Sequence, residues 1–258
     1  MTDHPDYIVK NQTLWDEDAS SWVAMGERAW AILEPNDWGI WHVPESELKL
    51  IPDDMTGMRA IELGCGTAYV SAWMARRGAR VAGIDLSEKQ LETARRLAFE
   101  HEVEIELIHG NAEDVPYPDS SFDFAISEYG AAIWADPYKW IPEAHRLLVS
   151  GGDLVFLGNH PFLHLVVPRD EAEVTDRTLR YPYFGMHRIN WEEPDGEAGT
   201  EFNLPISEWM SLFDDVGFDV VRFVEIRNPD PNQEKAFGQD PEWARDFPSE
   251  QVWKLRKR

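Results

Sequence analysis

The chain has 258 residues, 43% of them hydrophobic, which fits one α/β domain with insertions better than two independent domains. No stretch reaches the roughly 18 uninterrupted apolar residues that a membrane span requires, so no membrane partner is expected. Acidic residues outnumber basic residues 48 to 24, for a formal net charge of -24, which disfavours nucleic-acid partners because Lys and Arg must neutralise the phosphates.

Two further features bear on location and on metal content. Cys65 is the one cysteine, so the sequence allows no internal disulfide and predicts no zinc cluster or other metal site. Residues 1–6 are acidic and no apolar run follows them, which is not the pattern of a secretory signal. Both features favour the cytoplasm. The cationic run at residues 254–258 is interpreted as a solvated terminal strand or tail, not as a binding patch.

In chain order, residues 1–50 are predicted to form an aromatic-rich, mainly helical extension that acts as a lid, and residues 51–258 the α/β domain. From residue 58 onward, β-type runs alternate with segments of helical period, which is typical of a parallel sheet covered by helices. The predicted strands cover residues 60–63, 80–85, 104–108, 122–127, 153–157, 218–226 and 251–255.

Helices are predicted between these strands. One follows Gly66, a second begins at the capping residue Ser87, and two more cover residues 141–148 and 207–216. The third is expected to end in a turn at residues 150–152, because glycine terminates helices. An insertion at about residues 159–205 carries Pro, Gly and acidic clusters among aromatics, as a loop or hairpin would.

A glycine turn follows the first strand of the domain. Gly64 and Gly66 let the backbone approach a ligand closely, and the next helix aims free N–H groups at the same place. A dinucleotide site would have a third small residue where this chain has Tyr69. Glu62 would be unfavourable beside a pyrophosphate, yet it suits a ligand that carries an amine. Asp85 ends the second strand, where a carboxylate can accept both hydroxyls of a ribose.

These features belong to an ordered set of motifs. The chain resembles the class I S-adenosylmethionine-dependent methyltransferases, of the small-molecule variety related to ubiquinone- and menaquinone-biosynthesis enzymes. The resemblance covers about residues 58 to 157 and is carried by five segments, namely Ala60–Thr67, Gly83–Ser87, Gly110–Tyr117, Ser121–Ser127 and Arg146–Gly152. It implies a Rossmann-like, seven-stranded, mainly parallel sheet flanked by helices, and an enzyme that binds S-adenosylmethionine.

The resemblance also implies which residues hold the cofactor. The glycine turn would bind the methionine part, Asp85 the ribose, and the next segment the adenine, while residues 127–129 would line the reacting centre. The cofactor-binding set is Glu62, Gly64, Cys65, Gly66, Asp85, Leu86, Gln90, Asn111, Ala112, Glu113 and Ser127. Within this set, Cys65 is interpreted as a small filler and not a nucleophile, and Gln90 either reaches the ribose or serves the helix cap. The family usually has aspartate where this chain has Asn111, whose amide carbonyl can still accept a hydrogen bond from the adenine amine.

Candidates for acid–base chemistry and for substrate contact come from three regions. Glu128 and His160 follow the fourth and fifth strands, near the carboxyl ends where ligands bind in open α/β sheets, and are the candidate bases. Tyr129 and His187, which lies in the insertion, are candidate substrate contacts. Trp15 and Trp22 lie in segments that resemble the helix closing over the cofactor in many relatives, and an aromatic ring suits a sulfonium. Trp15 and Trp22 are therefore expected to contact the cofactor or the substrate; the alternative is that they only pack within the lid.

The predicted reaction is in-line transfer of a methyl group to an O, N or C atom of a small molecule, with S-adenosylhomocysteine released. Alignment of the reacting atoms and exclusion of water should supply most of the acceleration. Two alternatives remain open at this point: a non-catalytic S-adenosylmethionine-binding partner or sensor, and a nicotinamide-dependent (NAD) oxidoreductase. The sequence leaves the oligomeric state open, a homodimer included.

Overall fold

The computed structural model describes residues 5–168, 174–193, 196–230 and 232–258. The helices are α1 (Asp6–Ala31), α2 (Glu45–Leu48), α3 (Tyr69–Arg76), α4 (Glu88–Glu100), α5 (Ala131–Trp134), α6 (Pro137–Leu147), α7 (Leu163–Val166), α8 (Ile206–Val216) and α9 (Trp243–Asp246). The strands are β1 (Asp37–Trp38), β2 (Val43–Pro44), β3 (Arg59–Leu63), β4 (Arg80–Asp85), β5 (Glu106–His109), β6 (Phe122–Glu128), β7 (Leu148–Asn159), β8 (Arg188–Glu193), β9 (Gly196–Phe202), β10 (Phe218–Ile226) and β11 (Glu250–Lys257).

Seven strands form the central sheet in the order β10-β11-β7-β6-β3-β4-β5. The neighbours from β5 to β7 run parallel, whereas β11 is antiparallel to both β7 and β10. The predicted seven-stranded, mainly parallel sheet is therefore confirmed. The chain leaves β3 toward β4 and β5 and later returns to the other side of β3 as β6, so the strand order reverses between β3 and β6. Ligands of such sheets bind in the crevice at the carboxyl ends of the two strands.

Both faces of the sheet are buried because its central strands alternate between two cores. In β6, Phe124 and Ile126 pack into the core that contains Trp73 of α3, whereas Ala125 packs into the core on the opposite face, with Trp140 of α6. This period of two is the geometry of any strand. It explains why the strands were predictable from their apolar runs.

Helices α3, α4 and α8 follow their sequence signals. Ser87 caps α4 by accepting a hydrogen bond from the Gln90 N–H at 3.1 Å, and α8 ends at Gly217 in the left-handed conformation. The N-terminal extension consists of the 26-residue helix α1, the short β1–β2 hairpin and α2, and α1 packs against α3, α4 and β9. None of the described helices combines the length and apolarity needed to cross a membrane.

Three predicted boundaries are wrong. The strand expected at residues 104–108 is Glu106–His109. Helix α6 begins at Pro137, because Asp136 accepts the Tyr138 N–H at 3.0 Å and caps it. The same helix ends at Leu147, so residues 150–152 lie within β7, where four residues bulge out of register with β6. Gly151 has φ +79° in this bulge. The glycine therefore belongs to a β-bulge, not to the helix-terminating turn that was expected.

Candidate active site

One cavity of about 1150 Å³ opens at the carboxyl ends of β3, β4 and β6, under helix α1. Pockets for single drug-sized ligands span roughly 300–1,000 Å³, so this one has room for a nucleotide-sized ligand and a second molecule. Of the residues proposed from the sequence, those that line it are Trp15, Trp22, Glu62, Gly64, Cys65, Gly66, Asp85, Leu86, Gln90, Asn111, Ala112, Glu113, Glu128 and Tyr129.

The glycine turn is fixed by its backbone. The N–H groups of Gly64 and Cys65 both donate to the Ile84 carbonyl, at 2.9 and 3.0 Å, which ties the turn to β4. Gly66 has φ +50°, and a Cβ there would meet no atom within 4 Å. The turn therefore presents an open cradle to the cavity. Burial raises the pKa of the Cys65 thiol well above its usual range, which favours the interpretation of Cys65 as a filler.

Asp85 holds the turn and faces the cavity at the same time. Its Oδ2 accepts the Gly66 N–H at 2.7 Å and its Oδ1 accepts the Ser87 N–H at 2.8 Å. Burial raises the pKa of this carboxyl and the two N–H donors oppose that rise. Each carboxylate oxygen keeps acceptor capacity, so the two hydroxyls of a ribose can bind side by side.

The Gln90 side chain takes no part in the helix cap. A capping box would have its side chain reach back to the Ser87 N–H, but that N–H already donates to Asp85. The Gln90 side chain is buried and lines the cavity. The Gln90 side chain is therefore available to a ligand in the cavity.

Glu62 lies beneath the turn. It is 2% exposed, and its Oε2 accepts both the N–H and the hydroxyl of Ser71, at 2.8 and 2.5 Å. Burial raises the pKa of Glu62 to about 8. A ligand ammonium beside it would favour the charged carboxylate and lower that pKa again. The arrangement suits the amino group of a methionine moiety.

The adenine side of the cavity is tied to helix α1. Asn111 Oδ1 accepts the Glu113 N–H at 3.0 Å, which uses one of its two lone pairs. The Glu113 carboxylate accepts hydrogen bonds from the Tyr7 hydroxyl at 2.8 and 2.9 Å and from the Asp136 N–H at 2.8 Å. Glu113 therefore fastens α1 over the site, a role the sequence did not suggest.

Three candidates from the sequence, Ser127, His160 and His187, do not line the cavity. The fully buried Ser127 hydroxyl bridges the Leu63 carbonyl at 2.7 Å and the Ala132 N–H at 3.0 Å. His160 accepts the Phe162 N–H on Nδ1, and burial lowers its pKa to about 4. The third, His187, lies 3.0 Å from Asp136. Each side chain is committed to a structural contact outside the site.

The far part of the cavity is aromatic. The ring centroids of Trp15 and Trp22 lie 5.5 Å apart, Trp15 also packs edge-on against Trp134 at 5.2 Å, and Trp22 stacks on Phe237 at 6.2 Å. Sequence reasoning missed Trp134 and Phe237. The position of Trp134 just after β6 was a usable signal, whereas Phe237 lies in a Pro- and Asp-rich link without one.

Glu128 and Tyr129 line the cavity where β6 ends. The Tyr69 hydroxyl donates to Glu128 at 2.5 Å, and burial raises the pKa of that carboxyl. Tyr129 has φ +53°, a left-handed conformation that costs a non-glycine residue about 1–3 kcal/mol and is common at functional sites. Its hydroxyl donates to Glu250 at 2.5 Å. No group of three or more metal-ligating side chains is found in the described part of the chain.

Comparisons with known proteins agree with this geometry. The family model of the methyltransferase domain matches residues 61–156. A demethylmenaquinone methyltransferase of Clavibacter sepedonicus is 31% identical over 210 residues, covering 76% of this chain and 78% of the relative. A demethylmenaquinone methyltransferase of Listeria welshimeri is 31% identical over 180 residues, covering 65% of this chain and 73% of the relative.

The fold has close counterparts among solved structures. A putative S-adenosylmethionine-dependent methyltransferase of Listeria monocytogenes superimposes with a TM-score of 0.66 at 20% identity, covering 83% of this chain and 97% of that one. These similarities do not favour the oxidoreductase or the non-catalytic alternative. The chain belongs to the class I S-adenosylmethionine-dependent methyltransferases and is a methyltransferase related to the enzymes of quinone biosynthesis.

Proposed function

We propose that this enzyme methylates a small molecule held in the aromatic part of the cavity, at an O, N or C atom. The observation that carries the proposal is the continuity of the cavity, which reaches from Gly66 and Asp85 to Trp22 and Tyr129 without an intervening wall. A methyl donor and an acceptor can therefore meet inside one cavity.

The residues around the donor fit S-adenosylmethionine, which supplies an activated methyl group when bound. Asp85 and Gln90 would bind the ribose hydroxyls, Glu62 would face the amino group, and the open backbone at Gly66 would lie against the methionine part. Asn111 and Ala112 would border the adenine. Trp15 and Trp22 offer ring faces to a positively charged sulfur, an attraction worth roughly 0.5–2 kcal/mol.

The chain itself contributes alignment and exclusion of water. Helix α1 covers the cavity and is fastened by Tyr7 on Glu113 and by Asp16, which accepts the Ser87 hydroxyl at 2.7 Å. Holding donor and acceptor in line is worth several kcal/mol in reactions of this kind. Glu128 is the one candidate base from the sequence that lines the cavity, and its raised pKa suits the acceptance of a proton.

The test replaces the ribose contact. Asp85→Ala should weaken binding of S-adenosylhomocysteine about tenfold or more, since a hydrogen bond to a charged group contributes about 1.5–3 kcal/mol. Isothermal titration calorimetry measures the dissociation constant. Asp153→Ala is the matched control, because Asp153 lies on β7 in an exposed pair with Arg256 and does not line the cavity. Equal affinity of Asp85→Ala and wild-type protein would overturn the placement of the donor.

A further inference from the structure

A tight turn at residues 236–239 lies against the aromatic part of the cavity. The Gln239 N–H donates to the Ala236 carbonyl at 2.8 Å, and the Ala236 N–H donates to the Gln239 carbonyl at 3.3 Å. The two central residues, Phe237 and Gly238, have φ +48° and +68°, and positive φ at both positions is the property of a type I′ turn. All four residues line the cavity.

Phe237 is an unfavourable residue for its place in this turn. The first central position of a type I′ turn favours Asn, Asp or Gly, because the left-handed conformation strains other residues. The Phe237 side chain is 68% exposed, so burial in the core does not offset the strain. Its ring stacks on Trp22 of α1 at the edge of the cavity. Strained residues of this kind are common where a protein holds a ligand.

Gln239 carries a buried carbonyl oxygen without a partner. The residue lines the cavity and is 2% exposed, and its Oε1 accepts no hydrogen bond from the described residues. Buried carbonyl oxygens are nearly always paired, and an unpaired one destabilises the folded protein. An N–H or O–H group of a ligand in the cavity would supply the missing donor.

The backbone on both sides of Gln239 is fixed by Thr175. The buried Thr175 donates its N–H to the Gly238 carbonyl at 2.9 Å, and its hydroxyl accepts the Asp240 N–H at 2.9 Å. These two bonds hold the residues before and after Gln239. The turn therefore stays in place beside the cavity, and the cavity is the side from which a donor can reach the Gln239 amide.

We propose that the turn at residues 236–239 selects the acceptor and that Gln239 is its specificity-determining residue. Gln239 Oε1 accepts a hydrogen bond from an N–H or O–H group of the acceptor, while the rings of Trp22 and Phe237 pack against the apolar part of the same molecule. A site built to bond such a donor discriminates against analogues that lack it, because its own polar group is then left unpaired. The proposal rests on the proposed function and specifies how the acceptor is recognised.

Two bicyclic probes of nearly the same shape test the hydrogen bond. Indole has a ring N–H where benzofuran has an ether oxygen. Each probe is titrated into the protein loaded with S-adenosylhomocysteine, and ligand-observed NMR gives the dissociation constants. Indole should bind about fivefold tighter than benzofuran, the factor that corresponds to one hydrogen bond. Equal affinities, or a preference for benzofuran, would overturn the proposal.

Gln239→Met removes the amide and keeps the length of the side chain. Indole should bind this variant about fivefold more weakly than wild type, while benzofuran changes little, so that the preference disappears. Gln233→Met is the matched control, because Gln233 lies in the same link, donates to the Trp41 carbonyl at 3.2 Å and does not line the cavity. A preference for indole that survives in Gln239→Met contradicts the role of the amide. If Gln239→Met fails to fold by circular dichroism, the order of the two affinities in the wild-type protein still decides.

The melting temperature separates this role from a structural one. Without a ligand, Gln239→Met should melt at or above the wild-type temperature, because the variant lacks the unpaired buried oxygen. Gln233→Met should melt at a lower temperature, because it loses its hydrogen bond. A melting temperature of Gln239→Met below that of Gln233→Met would show that the Gln239 amide stabilises the fold, and the proposal would be wrong.

The ring of Phe237 has a different expected effect. Phe237→Asn creates the Asn-Gly pair that a type I′ turn prefers, so the melting temperature should rise. Indole and benzofuran should both bind this variant more weakly, by the same factor. Phe99→Asn is the control for binding, since Phe99 is 87% exposed on α4 and does not line the cavity. Unchanged affinity of both probes for Phe237→Asn would refute the selection of the acceptor by this turn.

The two proposals fail differently. Titration of the wild-type protein with S-adenosylhomocysteine precedes the probes, and absence of binding there overturns the proposed function. Binding of S-adenosylhomocysteine without a preference for indole overturns only the role of Gln239.

Discussion

Gly64 and Gly66 share a left-handed backbone but differ in what surrounds them. Gly64 has φ +75°, and a Cβ there would lie 2.6 Å from the Ala131 nitrogen and from Gly130 Cα. Gly66 has φ +50° and faces open space. Gly64 is therefore needed for packing against the chain after β6, whereas Gly66 is needed for contact with a ligand.

This difference predicts two distinct defects. Gly64→Ala should destabilise the fold by more than the roughly 1–2 kcal/mol of a left-handed alanine, because backbone atoms must also move. Gly66→Ala should lower the stability only by that strain, but it should strongly weaken the binding of S-adenosylhomocysteine. Urea unfolding and calorimetry measure the two quantities. Gly57→Ala is the control, with φ +80° and free space outside the cavity. Loss of affinity in this control equal to that of Gly66→Ala would contradict the assignment.

At the scale of elements, helix α1 behaves as a separately fastened cover. Asn11 is fully buried and makes three hydrogen bonds outside the helix, to the Trp134 carbonyl at 3.0 Å, to the Thr200 carbonyl at 2.9 Å and from the Thr200 N–H at 2.8 Å. Farther along, the Trp30 indole donates to the Thr67 carbonyl at 2.7 Å. The helix is thus pinned to α5, β9 and the glycine turn.

Asn11→Ala should loosen this cover without unfolding the sheet. Three buried hydrogen bonds at about 1 kcal/mol each predict at least tenfold faster amide exchange in the first half of α1, with β3 and β6 unchanged, in hydrogen–deuterium exchange. Thr13→Ala is the matched control, because the Thr13 hydroxyl bonds only the Val9 carbonyl within the helix. Faster exchange throughout the sheet would show that α1 is part of the global folding unit instead.

The same elements show what sequence can reveal. Strands such as β3 and β4 were predictable because apolar burial on both sheet faces leaves a continuous local pattern. The donor half of the site followed from ordered motifs at strand ends. Phe237, Gln239 and Glu201 could not be predicted, because each reaches the cavity through tertiary packing from the region after β7. Ser127 and His160 lie at strand ends but outside the cavity lining, because a strand-end position does not fix where a side chain points.

At the scale of the whole molecule, Glu250 joins both ends of the chain. Its Oε1 accepts the Ile40 N–H at 3.0 Å and the Tyr129 hydroxyl, and the neighbouring Ser249 hydroxyl accepts the Trp41 indole N–H at 2.7 Å. Ile40 and Glu250 are 210 positions apart, so no local pattern in the sequence could predict their contact. Glu250 is fully buried and its Oε2 has no partner among the described residues, so the last strand brings a costly charge into the core.

This charge makes stability depend on pH. Burial raises the pKa of Glu250 to about 7 from its ordinary 4.5, so the folded protein binds the proton more tightly than the unfolded chain. The contribution of Glu250 is therefore complete below pH 4.5 and is lost as the pH rises through about 7, to a total of about 3 kcal/mol. Burial also lowers the pKa of His160 to about 4. This shift has the opposite effect on the pH dependence, because the stability that it contributes is lost as the pH falls from 6.5.

Glu250→Gln separates the two effects, because His160 is present in both proteins. Glutamine is neutral at every pH, and its Oε1 can still accept from Ile40 and Tyr129. The variant should therefore become more stable relative to wild type by about 2.5 kcal/mol between pH 5 and pH 8. Urea unfolding at several pH values measures this change, and a constant offset from burying the amide N–H groups does not affect it. The exposed Glu92→Gln protein should follow the wild-type curve. Parallel curves for wild type and Glu250→Gln would mean that the pKa of Glu250 is the same in the folded and unfolded chains, which would contradict the prediction.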